Sequence, residues 1–93
     1  MADMLYELEG IIRDRKANPK EGSYTNSLFE AGINRMAQKV GEEGTEVVVA
    51  ALGQGRKEQV GELSDLFYHT LVLMTQLGIT LDDVSEELRR RHG

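Results

Sequence analysis

Between Ile33 and Met74, apolar residues recur every three or four positions, and the pattern breaks once, at Gly53-Gln54-Gly55. Ile33, Met36, Ala37, Val40, Gly44, Val47, Val48 and Ala51 lie on one stripe of a helix, which predicts a helix over about 33–53. Val60, Leu63, Phe67, Leu71 and Met74 lie on one side of a second, over about 56–77. A link as short as "GQGRKE" leaves the two helices no choice but to pack as antiparallel neighbours. Before them, Leu5, Leu8, Ile11 and Ile12 have helical spacing, and "KANPKEGS", with the only proline, reads as a loop. The stretch "SYTNSLFEAG" can open on a Ser or Thr cap and stop at Gly32. Thr80 is a good N-cap for a last helix, with Asp82 and Asp83 in its first turn and Leu81, Val84 and Leu88 as its stripe. No segment alternates convincingly at period two. The expected fold class is all-α: a compact helical bundle of about five helices, forming a single domain over residues 1–93.

A chain of 93 residues buries a modest fraction of its surface. The predicted fourth helix is apolar nearly all round, because Leu66, Val72 and Leu73 border the face opposite Val60, Leu63 and Phe67. Oligomerisation is therefore a live option, and together with the family resemblance described below it makes a homodimer the expectation. The sequence has no cysteine, which excludes disulfides, thiolate metal sites and a Cys nucleophile. A net charge of −5 argues against a nucleic-acid partner. No apolar run approaches the roughly 20 residues that a membrane span needs, and "MADMLYELEG" does not resemble a secretion signal. A soluble, cytoplasmic protein is expected, with no membrane partner. The arginines at 89–91 suit the negative end of a helix dipole.

The chemistry lies in the acids. Glu42, Glu43 and Glu46 crowd into five positions of the third helix, and Glu43 and Glu46 share a flank with Lys39 and Ala50. Like charges at this spacing repel by a few tenths of a kcal/mol per exposed pair, and more near a core. On the fourth helix, Glu62 and Asp65 share one face, and His69, one turn on, supplies at most one hydrogen bond. Folding the two helices back on each other sets the two acid groups at a similar height. A hard divalent cation resolves the repulsion, and Mg²⁺, which prefers oxygen ligands and shares them with phosphates, fits best. With no Cys and only two His, a zinc-type site is not expected. A solvated acidic face is the competing reading of "EEGTE" taken alone. Gly41 and Gly44 either permit a close approach or serve no purpose, at about 1 kcal/mol each.

"EEGTE" at 42–46 followed by "ELSD" at 62–65 resembles the EExxE…ExxD signature of the all-α, MazG-like nucleoside triphosphate pyrophosphohydrolases. "GSYTNSLFEAGINRMAQKVGEEGTEVVVAAL" and "ELSDLFYHTLVLM" resemble, more narrowly, the phosphoribosyl-ATP pyrophosphohydrolase family, over roughly residues 5–91. The resemblance implies a hydrolase of histidine biosynthesis that binds a nucleotide, phosphoribosyl-ATP, and uses Mg²⁺ to release pyrophosphate. By motif it makes Glu43, Glu46, Glu62 and Asp65 the metal ligands and places Glu42, Glu43 and Glu46 in the catalytic set. Glu42 would be a ligand to a second ion or the base that orients the attacking water. Ser23, Tyr24, Thr25 and Lys39 are the expected substrate-binding residues. Lys39 would meet a phosphate or screen the acids; Ser23 would donate to substrate or cap its helix. Many family members are fused to a cyclohydrolase domain with zinc-binding cysteines, and this cysteine-free sequence is expected to perform only the pyrophosphohydrolase step.

Two other functions compete. A house-cleaning (d)NTP pyrophosphohydrolase keeps the fold and the metal but changes the substrate. A non-catalytic helical dimerisation module predicts tolerance of Glu46→Gln.

Overall fold

A computed structural model describes residues 2–93. Its elements are α1 (Ala2–Ala17), α2 (Tyr24–Ala31), α3 (Ile33–Gly53), α4 (Arg56–Leu77) and α5 (Leu81–His92), with no strand among the described residues. Among the described residues, no helix is long and apolar enough to cross a membrane.

Local chemistry sets the boundaries. The Ser23 side chain accepts the Asn26 N–H and caps α2. Gly32, at φ 97°, takes a backbone conformation that other residues rarely adopt and turns the chain from α2 into α3. Gly78 ends α4 in the left-handed region at φ 72°; its N–H bonds to the Thr75 carbonyl and that of Ile79 to Met74, the paired bonds of a Schellman stop. Thr80 and Asp83 then cap α5 reciprocally, each side chain accepting the other's N–H, at 3.0 and 2.9 Å.

The α3–α4 hairpin is the backbone of the fold and makes the most extensive helix–helix contact. Its turn is tied by the Gln59 amide, which donates to the Ala50 and Gln54 carbonyls at 3.1 Å. Away from that turn, α1 and α2 cover the hairpin, and Ile12, Leu28, Met36, Leu71 and Val72 form the buried core. Asn26, itself buried, stitches the covering layer together by donating to the Arg15 carbonyl and accepting the Lys20 N–H. Glu9, also buried, reaches across to accept the Leu81 N–H at 2.7 Å, fixing the start of α5.

The inward faces of the hairpin differ in part from those expected. On α3 the buried residues are Met36, Glu43 and Ala50, so the flank carrying Lys39 and Glu43 turns inward, while Ile33 and Val48 face out. On α4 the expected stripe divides: its Val60, Leu63 and Phe67 are exposed, Leu71 is buried as expected, and His69 and Val72 are buried beside it. Both helices have two apolar faces, and one chain covers only one of them. The stripe on α5 is likewise uncovered at Val84 and Leu88. The chain exposes 6402 Å², against roughly 5,400 Å² for a compact monomer of its mass.

Candidate active site

Each acid owes its position to the hairpin. Glu43 sits halfway along α3 on the inward flank and is only 9% exposed. Glu62 and Asp65 are one turn apart on the first half of α4, which the antiparallel register brings opposite Glu43. One oxygen from each of Glu43, Glu62 and Asp65 lies within 4.8 Å of the others. Partial burial, followed by the charges of Asp65, Glu46 and Glu43, holds the Glu62 carboxyl above its ordinary pKa. Among the described residues, no Lys, Arg or His side chain forms an ion pair within 4.0 Å of the Glu46, Glu62 or Asp65 carboxylate.

Among the described residues, Lys39 supplies the single cation paired with the cluster. Its Nζ lies 3.2 Å from Glu43 and 3.5 Å from Glu42. The hydrogen bond to Glu43 raises the ammonium pKa above the usual lysine value, more than burial lowers it. Glu42 is exposed and belongs to a different neighbourhood: Arg35 lies at 3.7 Å, and the Gln38 amide donates to it at 2.9 Å. The sequence reading missed Arg35, although helical spacing places it one turn before Lys39 and two before Glu42.

The start of α2 docks beside this cluster. The Tyr24 hydroxyl meets His69 Nε2 at 3.1 Å, and the Tyr24 ring lies over Tyr68 with centroids 6.3 Å apart. The Thr25 hydroxyl is hydrogen-bonded to that of Tyr68, and burial pushes the Tyr68 phenol above its ordinary pKa. His69 does not bond the Asp65 carboxylate; its Nδ1 bonds the Asp65 backbone carbonyl at 2.8 Å. Tyr24 is 52% exposed and also lines an open cavity of about 660 Å³, together with Pro19, Lys20, Gly22 and Ser27.

Of the residues read as metal ligands, Glu43, Glu62 and Asp65 converge, and Glu46 stands beside them, exposed, close enough to act on Glu62. Of those read as substrate contacts, Lys39 and Tyr24 border the acids, Ser23 is occupied in capping, and Thr25 is paired with Tyr68. A Cβ built at Gly41 or Gly44 meets nothing within 4 Å, so neither glycine serves an approach within this chain. The converging atoms are all carboxylate oxygens, hard donors suited to Mg²⁺ or a similar ion. Oxygens sharing one Mg²⁺ at about 2.1 Å stand at most about 4.2 Å apart, so small side-chain adjustments would close the present spacing.

Known proteins similar to this chain point to one family. The profile of the Phosphoribosyl-ATP pyrophosphohydrolase family matches residues 5–92. A phosphoribosyl-ATP pyrophosphatase of Metallosphaera sedula is 55% identical over 91 residues, covering 98% of both chains. One from Methanocella arvoryzae is 48% identical over 93 residues, again 98% of both. The histidine biosynthesis bifunctional protein HisIE of Oceanobacillus iheyensis is 46% identical over 92 residues, 99% of this chain but only 43% of that protein. The sequence thus spans nearly all of some relatives and less than half of the bifunctional ones. The chain belongs to the phosphoribosyl-ATP pyrophosphohydrolase family.

Proposed function

We propose that this chain hydrolyses phosphoribosyl-ATP to phosphoribosyl-AMP and pyrophosphate, the second step of histidine biosynthesis, with Mg²⁺ as cofactor. The observation that carries the proposal is the convergence of Glu43, Glu62 and Asp65, with one cation, Lys39, at its edge. Relatives of similar length are phosphoribosyl-ATP pyrophosphatases, which supports this reading.

Glu43, Glu62 and Asp65 would hold the ion, with Glu46 turning in to join them. A bound Mg²⁺ neutralises phosphate oxygens and makes a water nucleophilic near neutral pH. Lys39 now spends its charge on Glu43 and Glu42; once an ion shares that load, its ammonium is free to take a phosphate oxygen. The exposed ring of Tyr24 offers a packing surface between the acids and the open cavity, which has room for the nucleoside part of a substrate. Glu42, engaged by Arg35, Gln38 and Lys39, needs a side-chain rotation to act as base or as ligand to a second ion. Phosphoryl transfer asks the protein for positioning and charge more than for covalent chemistry, and these residues supply both.

The molecule is proposed to work in the cytoplasm as a homodimer. The support for the dimer is the excess surface and the exposed Val60, Leu63 and Phe67 of α4, with Val48 of α3, which one chain leaves uncovered.

The test is pyrophosphate release from the purified protein with Mg²⁺, offered phosphoribosyl-ATP, ATP and dCTP in parallel. Strong preference for phosphoribosyl-ATP, abolished by EDTA and by Asp65→Asn, is the expected result. Preference for a simple nucleotide would move the chain to the house-cleaning branch. No release from any of them would return the acids to a structural role.

A further inference from the structure

His69 is 7% exposed and holds two hydrogen bonds that point in opposite directions. Nδ1 faces the Asp65 backbone carbonyl at 2.8 Å, and Nε2 faces the Tyr24 hydroxyl at 3.1 Å. A carbonyl oxygen only accepts, so Nδ1 must carry the proton. In the neutral ring Nε2 is then a bare acceptor, and the Tyr24 hydroxyl donates to it. The ring is further clamped edge-on by Tyr68 and Tyr24, with centroids at 4.9 and 5.9 Å. α4 thus offers one oriented acceptor to α2, one turn beyond Asp65.

We propose that His69 is a positioning residue: locked as the Nδ1–H tautomer, it fixes the Tyr24 hydroxyl and so sets the substrate-facing start of α2 against the acid cluster. The proposal rests on the pyrophosphohydrolase reading above. It differs from a role in supporting Asp65, because the Asp65 carboxylate takes no bond from His69. The chain runs from Tyr24 through the imidazole into the backbone of α4, so what it controls is where Tyr24 stands. Substrate affinity should feel this, while the cation site should not.

The two bonds can be separated by substitution. His69→Gln can place an amide oxygen near the Nε2 position and keep the bond to Tyr24. His69→Asn can place an amide nitrogen near Nδ1, keeping the bond to the Asp65 carbonyl while losing Tyr24. The expected result is a KM for phosphoribosyl-ATP raised about fivefold in His69→Asn, as for one lost hydrogen bond, and within about twofold of the native value in His69→Gln. In both, kcat and the Mg²⁺ concentration for half-activity should change by less than about twofold. Tyr24→Phe added to His69→Asn should raise KM no further, because both remove the same bond. Equal KM in Asn and native protein, a Gln variant as impaired as Asn, additive effects, or a loss confined to kcat would each overturn the proposal. A second readout does not depend on activity. Nitrogen-15 NMR of the imidazole in the native chain should show His69 as the Nδ1–H tautomer, and an Nε2–H tautomer would overturn the proposal even if the protein hydrolyses phosphoribosyl-ATP. Failure of the native protein to release pyrophosphate would instead sink the functional reading.

Discussion

Partial burial and three neighbouring acids hold the Glu62 carboxyl above its ordinary pKa, and a pH dependence of stability follows. The folded chain binds this proton more tightly than the unfolded chain, whose value is near 4.5. The stabilising contribution of protonated Glu62 is complete below that value and is lost as pH rises through the raised one. At neutral pH the ionised group is therefore a strain on the metal-free protein. Glu62→Gln should raise the melting temperature of metal-free protein at pH 7, and the gain should shrink toward zero near pH 4. A melting series over that range checks it, and a gain that grows on acidification would contradict the assigned field. The sequence made most of this cluster legible, because Glu43, Glu62 and Asp65 follow from helical spacing and a short link. It did not make the orientation of Glu42 or the backbone bond of His69 legible. Both depend on which rotamer finds a partner, and spacing carries no information about that.

At the scale of the helix, Glu9 and the glycines of α3 make opposite predictions. Glu9 is buried, and its carboxylate accepts the Leu81 N–H at the positive end of the α5 dipole. Removing a charged acceptor and stranding that N–H typically costs about 1–3 kcal/mol, so Glu9→Ala should lower the unfolding free energy by this amount in urea. Tyr6, whose exposed hydroxyl donates to Asp82 at 2.7 Å, should matter less. By contrast, Gly41→Ala and Gly44→Ala each fill open space inside a helix and should stabilise by about 0.5–1 kcal/mol. Loss of stability in either variant would show that the position is covered in the working assembly. The bounds of α3 and α4 and the starts of α2 and α5 were legible almost to the residue, because signals such as Ser23, Gly32 and Thr80 act on their own neighbours. The tie from Glu9 to Leu81 was not, because it joins positions 72 apart that no local pattern connects.

For the whole molecule, periodicity revealed that α3 and α4 are apolar but not which face another helix would cover. The Val60–Leu63–Phe67 side reads as core in the sequence and is exposed in the chain. A second copy resting there reconciles the two. Sedimentation should give twice the 10.4 kDa chain mass, and Leu63→Glu should shift it toward the monomer. A native protein that is monomeric at micromolar concentration would contradict the dimer.

The central claim is that Glu43, Glu62 and Asp65 form one cation-dependent catalytic centre. The most direct measurement is the rate of pyrophosphate release from saturating phosphoribosyl-ATP as Mg²⁺ is titrated, in native protein and in Glu62→Gln. The account predicts a saturable Mg²⁺ dependence, reversed by EDTA and restored by added ion. It also predicts a fall of at least about 100-fold in Glu62→Gln, since even residues behind the ligands cost 10–100-fold, in a variant that melts no lower than the native chain. Turnover without Mg²⁺, or a Glu62→Gln variant that keeps its rate, would contradict it.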